Sequence, residues 1–271
     1  MADVYAAITE AEPAVLEQLV GILELRAADP RQREMREEYL AHVPFPAEAR
    51  VTEVGCGTGA VARSLASRPG VGEVVGVDPS PVFLDRAREL ARELPSLSFV
   101  EGDARMLPFD DGTFDVVVFH TTLCHVPGPE LALAEAFRVL REDASLAVFD
   151  GDYVTTTCAL GDFDPLEACA DAAVDALVLD RWFARKLPSL VRAVGFDELR
   201  IGGHSYVEAP TSGGYMLALA DRGADALADA GRVSAEAADA LKAEARRRSD
   251  EGEFFGHIAY VSIVARRPAT A

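Results

Sequence analysis

The chain has 271 residues, 49% of them hydrophobic and 26% charged, enough to bury one large core with an appendage. Its formal net charge of −19 is spread along the sequence, which repels a phosphate backbone and argues against a nucleic-acid partner. No apolar run approaches the ~20 residues that span a bilayer, and MADVYAAITEAEP lacks the basic start and apolar core of a signal peptide, so a cytoplasmic protein with no membrane partner is expected.

Leu16, Leu19, Val20 and Leu23 stand at helical spacing until Pro44 and Pro46 interrupt the pattern, which predicts an N-terminal helical cap over 1–48. From 51 onward, short β-branched runs alternate with amphipathic stretches. These are VTEV, a helix over 58–67, EVVGVD, a helix over 81–93, LSFVEGD, FDVVVFH, a helix over 129–141 and SLAVFD. That is the rhythm of an α/β, doubly wound parallel sheet, and the wholly apolar VVVF suits a strand covered on both faces. Past 151 the pattern predicts helices over 165–180 and 184–194, a strand near 197–207, a helical insert over 213–250 and a last strand, FGHIAYVSIVARR. The insert reads either as a solvated helical pair or as a lid over a substrate. Trp182 and Phe183 fall on a helical pattern with Leu187 and Leu190, which predicts core packing. Cys56, Cys124, Cys158 and Cys169 show no metal-ligand or disulfide spacing, so no metal site is expected and buried thiols are.

The stretch VTEVGCGTGAVARSL carries the most specific signal. A strand that ends at a glycine-rich turn and feeds a helix presents free N–H groups and the positive end of a helix dipole, a site for something anionic. Gly55, Gly57 and Ala60 also satisfy the loose dinucleotide fingerprint. The flanking residues favour another ligand. Glu53, inside the strand end, would repel a pyrophosphate and suits an ammonium group. Asp78 ends the next strand, where a carboxylate can accept from both hydroxyls of a ribose. Asp103 follows the third strand and can accept from an exocyclic adenine amine. Three acidic residues at successive strand ends suit S-adenosylmethionine (SAM), which has an amino-acid end, a ribose and an adenine.

VTEVGCGTG, VVGVDPS, FVEGDARMLPFDDGTFDVVVFH and LCHVPGPELALAEAFRVLRED, in this order over about residues 50 to 150, resemble the motifs of the class I SAM-dependent methyltransferases. The likeness is to the group that includes ubiquinone and menaquinone biosynthesis methyltransferases and many natural-product methyltransferases. It implies a Rossmann-like domain over 49–271 with a seven-stranded, mostly parallel sheet whose last strand is antiparallel. It also implies methyl transfer to a small-molecule acceptor, natural-product or quinone-like, by a monomer or homodimer. By that resemblance Glu53, Gly55 and Gly57 line the methionine moiety, Asp78 binds the ribose, and Asp103 with Ala104 faces the adenine. Cys56, Pro79 and Arg105 stand beside them in the same loops, and His120, just past the fourth strand, closes over the cofactor. The family commonly continues with Pro-Gly-Gly after RVLR, whereas this chain has Glu142, Asp143 and Ala144.

A base for the acceptor is optional in such chemistry, because oriented in-line attack can itself supply much of the rate. The candidates are His125 in the loop after the fourth strand, His204 on a C-terminal strand, and Asp152 after the fifth. Asp150 and Tyr153 share the last location, and Tyr5 can fold over the cofactor from the cap; His42 reads as structural and His257 as a polar group at a sheet edge. Two alternatives remain open at this level. One is a fold-retaining protein that binds SAM or S-adenosylhomocysteine (SAH) without methylating; the other is a nicotinamide-dependent oxidoreductase, against which Glu53 and Asp103 argue.

Overall fold

The computed structural model describes residues 3–208 and 214–269. The first two residues of the expected cap, position 213 of the expected insert and the last two positions of the expected domain lie outside the described residues.

Two helices come first, α1 (Pro13–Ala28) and α2 (Pro30–Leu40). They divide at Asp29, whose buried carboxylate accepts from the N–H groups of Arg31 and Gln32 at 2.8 and 3.0 Å. Pro30 takes the first helical position, where a missing N–H costs nothing. The sheet comprises β1 (Ala49–Val54), β2 (Val71–Asp78), β3 (Leu97–Glu101), β4 (Phe114–His120), β5 (Leu140–Thr157), β6 (Asp197–Glu208) and β7 (Gly256–Arg266). Their order is β3-β2-β1-β4-β5-β7-β6, with the first five parallel and β7 antiparallel to both neighbours. This is the seven-stranded α/β sheet with an antiparallel last strand that the motifs imply. Helices α3 (Ala60–Ala66), α4 (Pro81–Leu90) and α5 (Pro129–Val139) connect the parallel strands.

The central strands are apolar because both faces are covered: Val51, Val54, Val116, Val117 and Val118 are all fully or almost fully buried. The chain moves outward from β1 through β2 to β3, then returns to place β4 on the other side of β1. The crevice at the carboxyl ends of β1 and β4 is therefore the topological switch point, where open α/β sheets bind ligands. β5 is longer than SLAVFD predicts, because it keeps an antiparallel partner in β7 to Asp152 and again at Thr157. Where the family commonly has glycine, Asp143 adopts φ +64°. The turn is held from β7: Asp143 N–H donates to the Arg267 carbonyl at 2.9 Å, Arg267 N–H donates to the Ala144 carbonyl at 2.9 Å, and Arg266 pairs with the Asp143 carboxylate.

After β5 come α6 (Pro165–Leu177) and α7 (Phe183–Val194), and between β6 and β7 come α8 (Tyr215–Asp229) and α9 (Ala235–Asp250). Phe183 is buried as predicted, whereas Trp182 is 49% exposed and stacks with the Arg185 guanidinium at 5.0 Å, because it precedes the helix instead of lying on its buried stripe. The four cysteines are free and buried. The insert is not simply a solvated pair. α8 buries Met216, Leu219, Ala220 and Leu227 and packs on α6, and α9 lies against α8.

At the α6–α8 contact a Cβ on Gly223 would sit 1.8 Å from the Cys169 carbonyl oxygen, so only glycine lets the two backbones approach this closely. Gly223→Ala should therefore destabilise the fold by about 1–3 kcal/mol despite the better helix propensity of alanine. Urea unfolding checks this, and a variant as stable as the parent would mean that the helices are not in backbone contact.

Candidate functional site

The turn after β1 is tied to β2 from below: Gly55 and Cys56 N–H groups donate to the Val77 carbonyl at 2.7 and 2.9 Å. Gly55 has φ +74°, and a Cβ there would lie 2.1 Å from the Thr122 side chain, so the close approach of the β1 and β4 loops needs glycine. Asp78, at the end of β2, is buried and closes the turn from the side. Its carboxylate accepts from Gly57 N–H at 2.8 Å and from Ser80 N–H at 2.9 Å, and burial pushes it up to about 6 against those two hydrogen bonds.

Over this edge lies a cavity of about 320 Å³. One wall consists of the strand-end loops, and Glu53, Gly55, Cys56, Gly57, Asp78 and Pro79 all reach it, as do Asp103, Ala104 and Arg105. Asp103 and Arg105 stand at the exposed mouth, where the guanidinium donates to the carboxylate at 2.6 Å and holds it below the usual carboxylate range. The Cys56 thiol is pushed well up by burial and is an inert part of the wall. His120 is the last residue of β4 itself, not a residue beyond it. Its ring stacks on Phe149 at 4.7 Å, its Nδ1 lies 3.0 Å from Tyr39 Oη, and burial, with Arg26 and Arg36 nearby, holds it neutral.

The opposite wall comes from helices. Arg26 and Gln32 and Arg36 reach in from α1 and α2, and Tyr215, Leu219 and Arg222 from α8. Sequence reasoning missed these residues, although Arg26 continues the apolar stripe of Leu16, Leu19 and Leu23, where a cation is out of place. Arg26 Nη1 donates to Thr121 Oγ1 at 2.8 Å, and its ring-facing side lies 5.5 Å from Tyr260 and 5.7 Å from Tyr215. Four buried polar atoms of this lining have no hydrogen-bond partner among the described residues: Glu53 Oε2, Arg36 Nε, Arg26 Nη2 and Gln32 Oε1. Such atoms cost about 1–3 kcal/mol each when left dry, so their convergence marks a ligand position. The Glu53 oxygen with the Arg36 guanidinium beside it fits a zwitterion, such as the amino-acid end of SAM.

The catalytic candidates separate. His125 lines the cavity, with Nδ1 2.9 Å from the buried Asp3 carboxylate and its ring 4.7 Å from Tyr5. Asp3 also accepts from Tyr5 N–H at 2.8 Å, so the N-terminal segment is clasped to the loop after β4. Tyr5 and Tyr153 line the cavity too. Asp152 does not: strand alternation turns it away from Tyr153 to the face covered by α7, where Arg185 Nε donates to it at 3.0 Å. Asp150 is buried and accepts from Cys124 N–H at 3.2 Å. His204 is also outside, because β7 intervenes between β5 and β6 and leaves it at the sheet margin, hydrogen-bonded to Ser262 at 2.9 Å and Glu38 at 3.1 Å. His42 joins Arg200 at 3.1 Å and His257 joins Ser205 at 3.1 Å, both away from the cavity. Among the described residues no group of three or more His, Cys, Asp or Glu side chains could hold a metal ion, and no helix is long and apolar enough to cross a membrane.

A family model described as a methyltransferase domain matches residues 52–148. Residues 52–148 carry a methyltransferase domain. The chain is 30% identical over 189 residues to an uncharacterised 37.1 kDa protein in a transposon of Streptomyces fradiae, covering 63% of this chain and 54% of that one. It is 36% identical over 109 residues to the chloroplastic 2-methyl-6-phytyl-1,4-hydroquinone methyltransferase 2 of rice, covering 40% of this chain and 31% of that one. The fold is shared with phosphoethanolamine N-methyltransferase 2 of Haemonchus contortus, solved with SAM, at 17% identity and a TM-score of 0.55 over 87% of this chain and 53% of that one. The chain thus spans about a third to a half of the length of these relatives.

Burial pushes the Glu53 carboxyl up to about 8, against the Ala62 N–H in the first turn of α3 and the Arg36 cation. At pH 7 the free methyltransferase domain therefore holds this carboxyl mostly protonated, and a ligand ammonium draws it into the ionised form with release of a proton. SAM affinity should rise from pH 6 to about pH 7.5, the range below both this value and the ~7.7–8.0 of an α-amino group. Calorimetry in buffers of different ionisation enthalpy should read proton release that Glu53→Gln abolishes. A pH-independent affinity with no proton release would place the ammonium elsewhere.

Proposed function

We propose that this chain transfers a methyl group to a small-molecule acceptor, natural-product or quinone-like, bound in the helical part of the cavity. The reading rests on one observation: the unpartnered Glu53 oxygen and the glycine turn share a single cavity with the Asp3–His125 pair. When bound, SAM supplies an activated methyl group that needs only an aligned nucleophile. The chain's residues do the rest. Glu53 faces the ammonium group, Arg36 the carboxylate, Asp78 the ribose, and Asp103 with Ala104 the adenine. His120 contributes a neutral ring at the end of β4, and the 1–48 cap, through Tyr5, Arg26 and Arg36, closes the cavity and excludes water.

On the acceptor side His125 takes the proton when the nucleophile is a hydroxyl or an acidic carbon. Asp3 accepts at Nδ1, which leaves Nε2 as the base, the orientation that a carboxylate imposes on a catalytic imidazole. Asp3 is a positioning residue in this scheme. A binding protein without turnover would have no use for an oriented base, and the hydroquinone methyltransferase relative is consistent with small-molecule chemistry.

Asp78→Ala should weaken SAM about tenfold or more, from lost charge-assisted hydrogen bonds worth roughly 1.5–3 kcal/mol each. SAH formation over a panel of phenolic, quinone and polyketide-like acceptors should rise above background in the parent. His125→Ala should then leave SAM affinity near that of the parent and reduce turnover roughly 10²–10⁴-fold, whereas His125→Asn should restore activity only if the ring merely ties down its loop. No SAH formation with any acceptor, together with unchanged SAM affinity in Asp78→Ala, would remove this function.

A further inference from the structure

The helical part of the cavity has a chemistry of its own. Tyr215, Leu219 and Arg222 lie at i, i+4 and i+7 on α8 and present one face of that helix to the space. Val174 and Leu177 of α6 and Ile22 of α1 make the walls apolar. Three tyrosine hydroxyls supply donors to this space. Tyr5, Tyr153 and Tyr215 are all raised by burial, Tyr5 to about 12, so each stays a protonated hydroxyl. Among the described residues no carboxylate is left free there: Asp3 is engaged by His125 and by backbone N–H groups, and Asp150 lies behind Cys124, buried and hydrogen-bonded.

Two cations face this donor-rich space. In a chain with 45 acidic residues against 26 basic ones, most arginines are ion-paired. Arg36 and Arg105, also in the lining, each have an acidic neighbour. Arg26 and Arg222 form no ion pair among the described residues, Asp150 acting on Arg26 only through space, and Nη2 of Arg26 is buried without a hydrogen-bond partner there. The two guanidiniums bear on the same group, since both draw the Tyr5 hydroxyl toward ionisation. Two cations without ion-pair partners that line one apolar space repel one another unless an anion joins them there.

Resting on the methyl-transfer reading, we propose that the acceptor is an amphipathic carboxylate, its anionic end held by Arg222 and Arg26 and its apolar body against α6 and α8. The carboxylate recognises the cation pair and accepts from the tyrosine hydroxyls, while the apolar walls select a hydrocarbon or aryl body. α8 therefore carries the charge selectivity, and the strand ends carry the cofactor.

The test is calorimetry on the full chain, with and without SAH, using 3-phenylpropanoate and its neutral analogue 3-phenylpropanamide. The carboxylate should bind about tenfold or more tightly than the amide, and Arg222→Gln should bring the two within about twofold. SAH affinity should stay unchanged in that variant, and Arg222→Lys should retain part of the preference. Equal affinity for the two probes, no binding of the carboxylate, or a preference that survives Arg222→Gln overturns the proposal. So does a loss of SAH affinity in Arg222→Gln, which would assign the arginine to the cofactor. Failure of SAH to bind the parent counts against the methyl-transfer reading, whereas the carboxylate preference is judged from the titrations without SAH.

Discussion

A carboxyl group buried near the end of an inner strand, β1, sets the terms for everything around it. Glu53 is 2% exposed, flanked by β2 and β4, and has one oxygen without a partner. A lone carboxylate in such a place is costly, and the protein meets part of the cost with the Ala62 N–H and the cations of Arg36 and Arg63. What is left unmet faces the cavity. The apolar neighbours that make the site dry are the same valines that make β1 a stable inner strand, so the core and the site cannot be separated energetically.

The rest of the cavity follows from what must cover that edge. A parallel sheet exposes the ends of its strands at one rim, and the loops there are held by short local bonds: Asp78 to Gly57, Gly55 to Val77, Thr122 against Gly55. Those bonds shape a floor but leave it open to water. α1, α2 and α8 close it, and each contributes a cation to the lining, of which Arg36 on α2 offsets the carboxyl group below. The N-terminal segment is fastened by Asp3 to His125. One contact thereby couples closure of the cavity to the geometry of the candidate base.

The same architecture explains why a surface with a net charge of −19 can hold an anion-selective interior. The acidic residues are mostly outside and paired or solvated, and they act through screened water. Arg26 and Arg222 act at short range between apolar walls, where a charge is felt far more strongly. Net charge thus speaks to nucleic acid and solubility, not to the occupant of a closed pocket.

The strand and helix rhythm, the glycine turn and the three acidic strand ends were legible in the sequence because each is local. β-branched runs, turn glycines and the residue ending a strand are consecutive in the chain, and their spacing alone predicts which edge of the sheet they share. The helix ends were legible to within a turn, and the insert that holds α8 was legible as helical, with a lid over a substrate as one of its two readings. His204 and Asp152 read as candidates beside His125, because sequence spacing cannot say that β7 will pass between β5 and β6 or that alternation will turn Asp152 toward α7. Nor could it show that Asp3, 122 positions earlier, meets His125, or that Arg26, Arg36 and Arg222 converge on one cavity from three helices. Contacts between distant segments are decided by how helices pack on the sheet. That packing depends on side-chain volume and backbone approach, such as Gly223 against Cys169, which no periodicity encodes.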